Sequence, residues 1–237
     1  MPVAPDVLRV EFLSERHRRL LPRTIGLVTL LIAVAGVPTW GADVGEARDL
    51  LSKGDYEDAI KEALEVTGGA EATEDGFLVL VQALLTVGRY ADAEQAVTRG
   101  LLKEPGSIRL RWLGRQAAQA QGKSARAEEW LVEIGSTVRS QPWMYRNAEN
   151  LLIFGRAALA LGSDPKEVLD RIYTPMAQAN PDLREVYLAK GELALEKHDY
   201  ALAATTFQEG VKRHPEDADL HYGLARAYEN SDRGEMV

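Results

Sequence analysis

His214 and His221, with Glu216 and Asp219 between them in HPEDADLH, come closer to a set of metal ligands than any other group in this chain. Their spacing is not the i, i+4 pair that puts two imidazoles on one helix face, so a solvated loop is the expected setting. His17 and His198 stand far from them and from each other. The absence of cysteine removes thiolate nucleophiles, disulfide frameworks and Cys-based zinc sites together. Gly68-Gly69 in VTGGAEATEDG lacks the Lys and Ser/Thr of a phosphate loop, and no G-x-S-x-G occurs. Adjacent carboxylates such as Glu128 and Glu129 fit an exposed helix face that serves solubility rather than acid–base work. No catalytic residue, no cofactor and no metal is expected, which leaves the chemistry of binding.

Charge narrows the partner. The formal net charge is −8, and the first 42 residues contribute +2 through five Arg against Asp6, Glu11 and Glu15, so the remainder carries −10. A surface of that sign repels phosphate backbones, and no basic stripe offsets it; nucleic acid is not an expected partner. With 46% hydrophobic and 27% charged residues the chain has enough apolar material for a folded core. The N-terminus differs in kind. HRRLLPR (His17–Arg23) precedes fourteen uncharged residues, Thr24–Val37, followed by Pro38 and small residues. Basic flank, short apolar run and small residues are the order of a secretory signal peptide, with cleavage expected after Gly41 or Ala42. Fourteen residues of helix reach about 21 Å, short of a hydrocarbon core of about 30 Å. Residues 1–41 are thus expected to be a signal peptide, or alternatively an uncleaved anchor through residues 24–37. The chain is expected to be exported, periplasmic or otherwise extracytoplasmic, or membrane-anchored facing out of the cytoplasm.

The rest of the chain repeats itself. KGDYEDAIKEAL at Lys53–Leu64 returns as VGRYADAEQAV at Val87–Val97 and as KHDYALAATTF at Lys197–Phe207. The corresponding turn positions are Gly54, Gly88, Gly122, Gly162 and His198, separated by 34, 34, 40 and 36 residues. Apolar residues recur at three and four before each turn (Phe77, Leu80, Val81, Leu84) and again after it (Ala93, Ala96, Val97, Leu101), so each unit is two amphipathic helices. A glycine at the joint accepts the left-handed backbone that ends a helix, and the small residue five positions on lets the second helix approach the first. Pro105 and Pro215 fall seventeen residues after their turns, where they stop the second helix.

These residues resemble the tetratricopeptide repeat. Arg184–Asp217 fits best, with Tyr187, Gly191, Tyr200, Ala203, Phe207, Gly210 and Pro215 at the pattern's large and small positions, and Glu74–Ser107 is nearly as good. In the third copy Arg115 replaces a small residue; in the fourth, Asp164 and Glu167 replace the aromatic and the alanine, so its second helix departs from the pattern's register. The resemblance implies an all-α, right-handed superhelical solenoid over residues 43–237, with about five repeats and a partial sixth. Its missing second helix reads as a cut inside a longer protein, or alternatively as a lone capping helix that ends the array. A lone pair leaves an apolar face in water, so the copies must stack.

The resemblance also implies a concave groove lined by the first helix of each pair. Helical counting places Leu78, Gln82 and Leu85 there, then Arg109, Trp112 and Gln116. The fourth and fifth copies add Leu152, Arg156, Leu159, Leu188, Glu192 and Leu195, and the tail adds Tyr222 and Arg226. Arg109, Arg156 and Arg226 are the expected carboxylate anchors, and Trp112 with Arg109 the expected hot spot, its alternative a ring packed between helices. The family's clamp for chaperone C-termini uses Lys and Asn where this chain has Leu, Trp, Gln and Arg, so that ligand is not expected. The insertion VRSQPWMYRNAEN (Val138–Asn150) is read as a lengthened turn with Pro142 opening the next helix, or as an exposed ledge of Trp143, Met144 and Tyr145. The function expected is an exported scaffold that binds a protein or peptide without catalysis. The alternative is the N-terminal segment of a larger exported enzyme whose catalytic domain lies beyond Val237, and a weaker option is a part of an envelope secretion or assembly machine. The oligomeric state is left open.

Overall fold

The computed structural model describes residues 43–231, all helices and turns. Helices alternate as antiparallel pairs: α1 (Val44–Lys53) with α2 (Tyr56–Gly68), α3 (Glu74–Thr86) with α4 (Tyr90–Lys103), and α5 (Ile108–Ala120) with α6 (Ser124–Ser140). After a 3-10 turn (Pro142–Tyr145), α7 (Ala148–Ala160) pairs with a segment made of α8 (Pro165–Val168), a π turn (Leu169–Tyr173) and α9 (Thr174–Ala179). Then come α10 (Arg184–Glu196) with α11 (Tyr200–Arg213), and finally α12 (Ala218–Glu229). First helices also pack on the first helices of neighbouring copies, α1 on α3, α3 on α5, α5 on α7 and α10 on α12. That is a solenoid in series. The expected leader falls outside the described residues, and among these no helix is long and apolar enough to cross a membrane.

Each joint is built as its spacing predicts. Gly54, Gly88, Gly122 and Gly162 have φ of +89°, +77°, +72° and +84°, and His198, the one non-glycine, has +60°. Left-handed geometry turns the next N–H back onto the helix just ended: Arg89 N donates to Leu84 O at 2.8 Å and Asp199 N to Ala194 O at 2.9 Å. Ala59, Ala93, Ala127 and Ala203 follow at the fifth position, all buried. Helices α4 and α11 end at Lys103 and Arg213, two residues short of Pro105 and Pro215. Most first helices start on a side-chain cap, as where Ser107 Oγ accepts from Leu110 N at 3.0 Å and Asn147 Oδ1 from Asn150 N at 2.9 Å.

The two long spacings have separate physical causes. Between the third and fourth copies, α6 is 17 residues where α4 is 14, and the connection 141–147 is three longer than 104–107, which accounts for the extra six. Pro142 opens the 3-10 turn, not α7, because Asn147 supplies the helix cap. Tyr145 is buried and donates to Gly106 O at 2.8 Å, pinning the turn to the previous connection, whereas Trp143 and Met144 are exposed. The insertion is therefore a lengthened turn pinned through Tyr145, with Trp143 and Met144 left exposed on it. In the fourth copy one extra residue lies before α8, moving the buried small position to Val168, and the second is absorbed by the π turn. Register is thereby restored: Tyr173 stands over Gly155 as Phe207 stands over Gly191 in the fifth copy.

The apolar core is two clusters that meet within the third copy. Leu110, Leu113, Ala117 and Trp130 belong to the N-terminal one, Ile108, Leu131, Ile134 and Val138 to the C-terminal one. The division follows from Arg111 and Arg115, which stand where Phe77 and Val81 stand in the second copy. Arg111 folds onto Ser107 O (2.9 Å) and Glu133 (3.3 Å). Arg115 lies over the Trp112 ring at 4.8 Å, and burial pulls its guanidinium below the usual range. Trp130 closes against Gly114 instead, where a Cβ would approach its ring to 2.9 Å.

Candidate functional site

First helices line a groove of about 790 Å³ on the concave side. Leu78 and Gln82 from α3, Arg109, Trp112 and Gln116 from α5, and Arg156 from α7 all face it, with Leu85 and Leu152 as apolar floor. The structure thus brings together eight of the fourteen residues placed there by helical counting. Glu192 borders an adjoining depression of about 330 Å³ with Trp112 and Arg156. Tyr222 and Arg226 lie in neither; they are exposed on α12, Arg226 over the Tyr222 ring at 5.8 Å.

Within the groove the arginines have different employments. Arg109 Nη1 donates to Glu149 at 2.6 Å, Nη2 to Asp75 at 3.3 Å, and Nε and Nη2 both bond Glu74, which also accepts from Ser107 Oγ. Burial alone would lower the Arg109 pKa, but Glu74, then Glu149 and Asp75, hold it above the usual guanidinium range. Arg48 reaches the same Asp75 at 3.5 Å. The result is a rail of alternating charge along the first turns of α1, α3, α5 and α7. Farther on, Arg184 of α10 holds Asp217 and Asp219 of α12 in the same manner. The expectation of Arg109 as a ligand anchor therefore meets a cation already shared among three carboxylates. Arg156 is the contrast, making no ion pair among the described residues.

Two consequences of the rail are measurable. Arg109→Leu should lower unfolding free energy by about 1.5–3 kcal/mol in urea titrations followed by circular dichroism, because it removes the guanidinium that bonds the part-buried Glu74 carboxylate; adding Glu74→Gln should recover part of the loss. The Arg184 hydrogen bond, then the Leu220 N–H, depress the Asp217 carboxyl below its ordinary range. A depressed folded-state pKa means the stabilisation is complete above the unfolded value, about 3.9, and is lost as pH falls through the folded one. Melting temperature should accordingly drop on the acid side below about pH 4, and Asp217→Asn, which keeps the cap on α12, should flatten that limb.

Sequence reasoning missed Tyr173 and placed nothing from the second helices in the groove. Tyr173 lines the smaller depression beside Arg156 and Glu192. Its signal was the 36-residue spacing, which shifts the position occupied by Phe207 in the fifth copy to two residues later in the fourth. The loose histidine set does not assemble: His221 Nε2 lies 2.7 Å from Pro215 O, and no three His, Asp or Glu among the described residues converge as metal ligands.

Comparison with known proteins agrees with this architecture. The tetratricopeptide repeat family matches residues 188–235. TTC0263, a thermophilic TPR protein of Thermus thermophilus, superposes with a TM-score of 0.62 at 18% identity, over 78% of this chain and 97% of that one. The pilF protein of Pseudomonas aeruginosa gives 0.52 at 14% identity, over 81% and 84%, and a tetratricopeptide repeat protein of Parabacteroides merdae gives 0.50 at 15%, over 81% and 73%. No curated protein matches the sequence. The superpositions give the described residues a tetratricopeptide-repeat-type fold, and the repeat is matched in sequence over residues 188–235.

Proposed function

We propose that the protein is an exported scaffold that holds an extended peptide segment of a partner protein along the concave groove, without chemistry of its own. The observation that carries this is the middle of the groove: half-buried Trp112 beside Arg156, a cation with no ion-pair partner among the described residues, over an apolar floor of Leu78, Leu85 and Leu152. Aromatic and arginine side chains supply most of the energy at such contacts. A groove of this volume matches what specific sites bury, and a peptide is the ligand whose length suits a channel crossing several helices. Export is supported by the basic flank and apolar run of His17–Val37, and the mass of the mature chain separates cleavage near Ala42 from anchoring through residues 24–37. The test of the groove is an array of short random peptides probed with the labelled full chain. Retained sequences should be lost to the double variant Trp112→Ala/Arg156→Ala and kept by Tyr222→Ala. Equal retention by all three proteins would refute the groove as the site.

A further inference from the structure

We infer that Tyr173 presents its hydroxyl to the groove as part of a subsite for a neutral amide group of the bound peptide, an asparagine or glutamine side chain, flanked by Arg156 and Glu192. This deepens the peptide reading and rests on it.

Packing asks only for an apolar side chain at this position. Tyr173 is 1% exposed and occupies the place filled by Val97, Leu131 and Phe207 in the second, third and fifth copies, none of which carries a polar atom. Its ring packs closely on α7 because residue 155 is glycine: a Cβ there would meet Cε1 at 2.5 Å and the hydroxyl oxygen at 2.9 Å. The π turn delivers Tyr173 to that spot by absorbing one residue of the long spacing, and π turns recur at functional sites. Yet the hydroxyl bonds no described residue, while the side chain lines the depression next to Trp112. A nearly buried polar group without a protein partner is uncommon. Burial pushes the phenol pKa up to about 12, with Arg156 lowering and Glu192 raising it, so at neutral pH the group keeps its proton and can donate.

The neighbouring charges select the ligand. Arg156 and Glu192 border the same depression without pairing with each other or with any described residue, and the remaining carboxylate, Glu196, is occupied by Lys197 at 2.8 Å. A ligand carboxylate would bond Arg156 but face Glu192, and an ammonium would do the reverse. A carboxamide satisfies both, its oxygen accepting from Arg156 or the phenol and its N–H donating to Glu192.

The experiment is the random-peptide array, with each retained sequence resynthesised so that every position in turn is Gln, Asn, Asp, Lys or Leu, and read with the full-length wild-type chain and Tyr173→Phe. Expected is one position at which Gln or Asn is held most tightly, an advantage that Tyr173→Phe lowers about tenfold, the size of one lost hydrogen bond. Melting temperature should be unchanged, because the hydroxyl has no protein partner. Preference for Asp, Lys or Leu at every position, or equal binding by both proteins, would overturn the subsite and leave the groove reading standing. Retention of no peptide by the wild-type chain would overturn both.

Discussion

Phe207→Ala is expected to remove about 3–5 kcal/mol of unfolding free energy, more than any other single truncation at the C-terminal end. The ring is 1% exposed on α11, and the two first helices that flank it press on it through glycines. A Cβ on Gly191 would meet the ring at 2.5 Å and one on Gly223 at 2.4 Å, so three helices use this one side chain as a spacer. Neither α10 nor α12 can follow the ring inward, because each is also held at its first turn by the Arg184 pairs with Asp217 and Asp219. A cavity would remain. Stability of a stacked array is a sum of unit and nearest-neighbour terms, and this substitution weakens two neighbouring interfaces at once. The urea transition should therefore broaden as well as move, with α10 to α12 losing amide-exchange protection before α3 to α6. A loss under about 1 kcal/mol with an unchanged slope would show that the glycines relax onto the smaller side chain and that the tight contacts are not what couples the last copies.

How far the sequence led depends on what set each feature. Turns were legible because a left-handed backbone selects for glycine, and five such positions at a near-constant interval left little freedom; even His198, which has a Cβ, was placed by interval alone and adopts φ +60°. Groove positions were legible because helical periodicity fixes which residues of α3, α5 and α7 share a face. The fourth copy was not, since its surplus residues enter in two places and one disappears into a π turn that no composition signal announces. Nor was the employment of Arg109. Its partners lie 34, 35 and 40 residues away, which is one repeat back and one repeat forward. The signal was present all the same: opposite charges at the first turn of successive first helices, separated by the interval of the repeat itself. Arg184 with Asp217, 33 residues apart, follows the same rule. Reading charge along the repeat, rather than along each helix, separates arginines that brace the stack from Arg156, which does not.

Trp112→Ala is expected to weaken peptide binding by about thirtyfold, the equivalent of about 2 kcal/mol at a hot-spot aromatic, while far-ultraviolet circular dichroism stays unchanged. Two facts set this expectation. Trp112 is half-buried, and it borders both the groove and the depression that holds Tyr173, so a ligand passing from α3 toward α10 must cross it. The same ring packs against the C-terminal core cluster and carries Arg115 at 4.8 Å on one face. Alanine removes that stacking partner but leaves a cation already poor in contacts, its Nε buried without a hydrogen bond. Some stability should therefore be lost, on the order of 1 kcal/mol, well below the 3–5 kcal/mol of a fully buried aromatic. Trp112→Phe separates the two roles, since a smaller ring keeps the stacking and reduces the contact area offered to a ligand. Intermediate affinity with near wild-type stability is the outcome that assigns the ring to recognition. Unchanged affinity in both variants, with stability falling by several kcal/mol in the alanine form, would assign it to the core and move the recognition surface elsewhere on the solenoid.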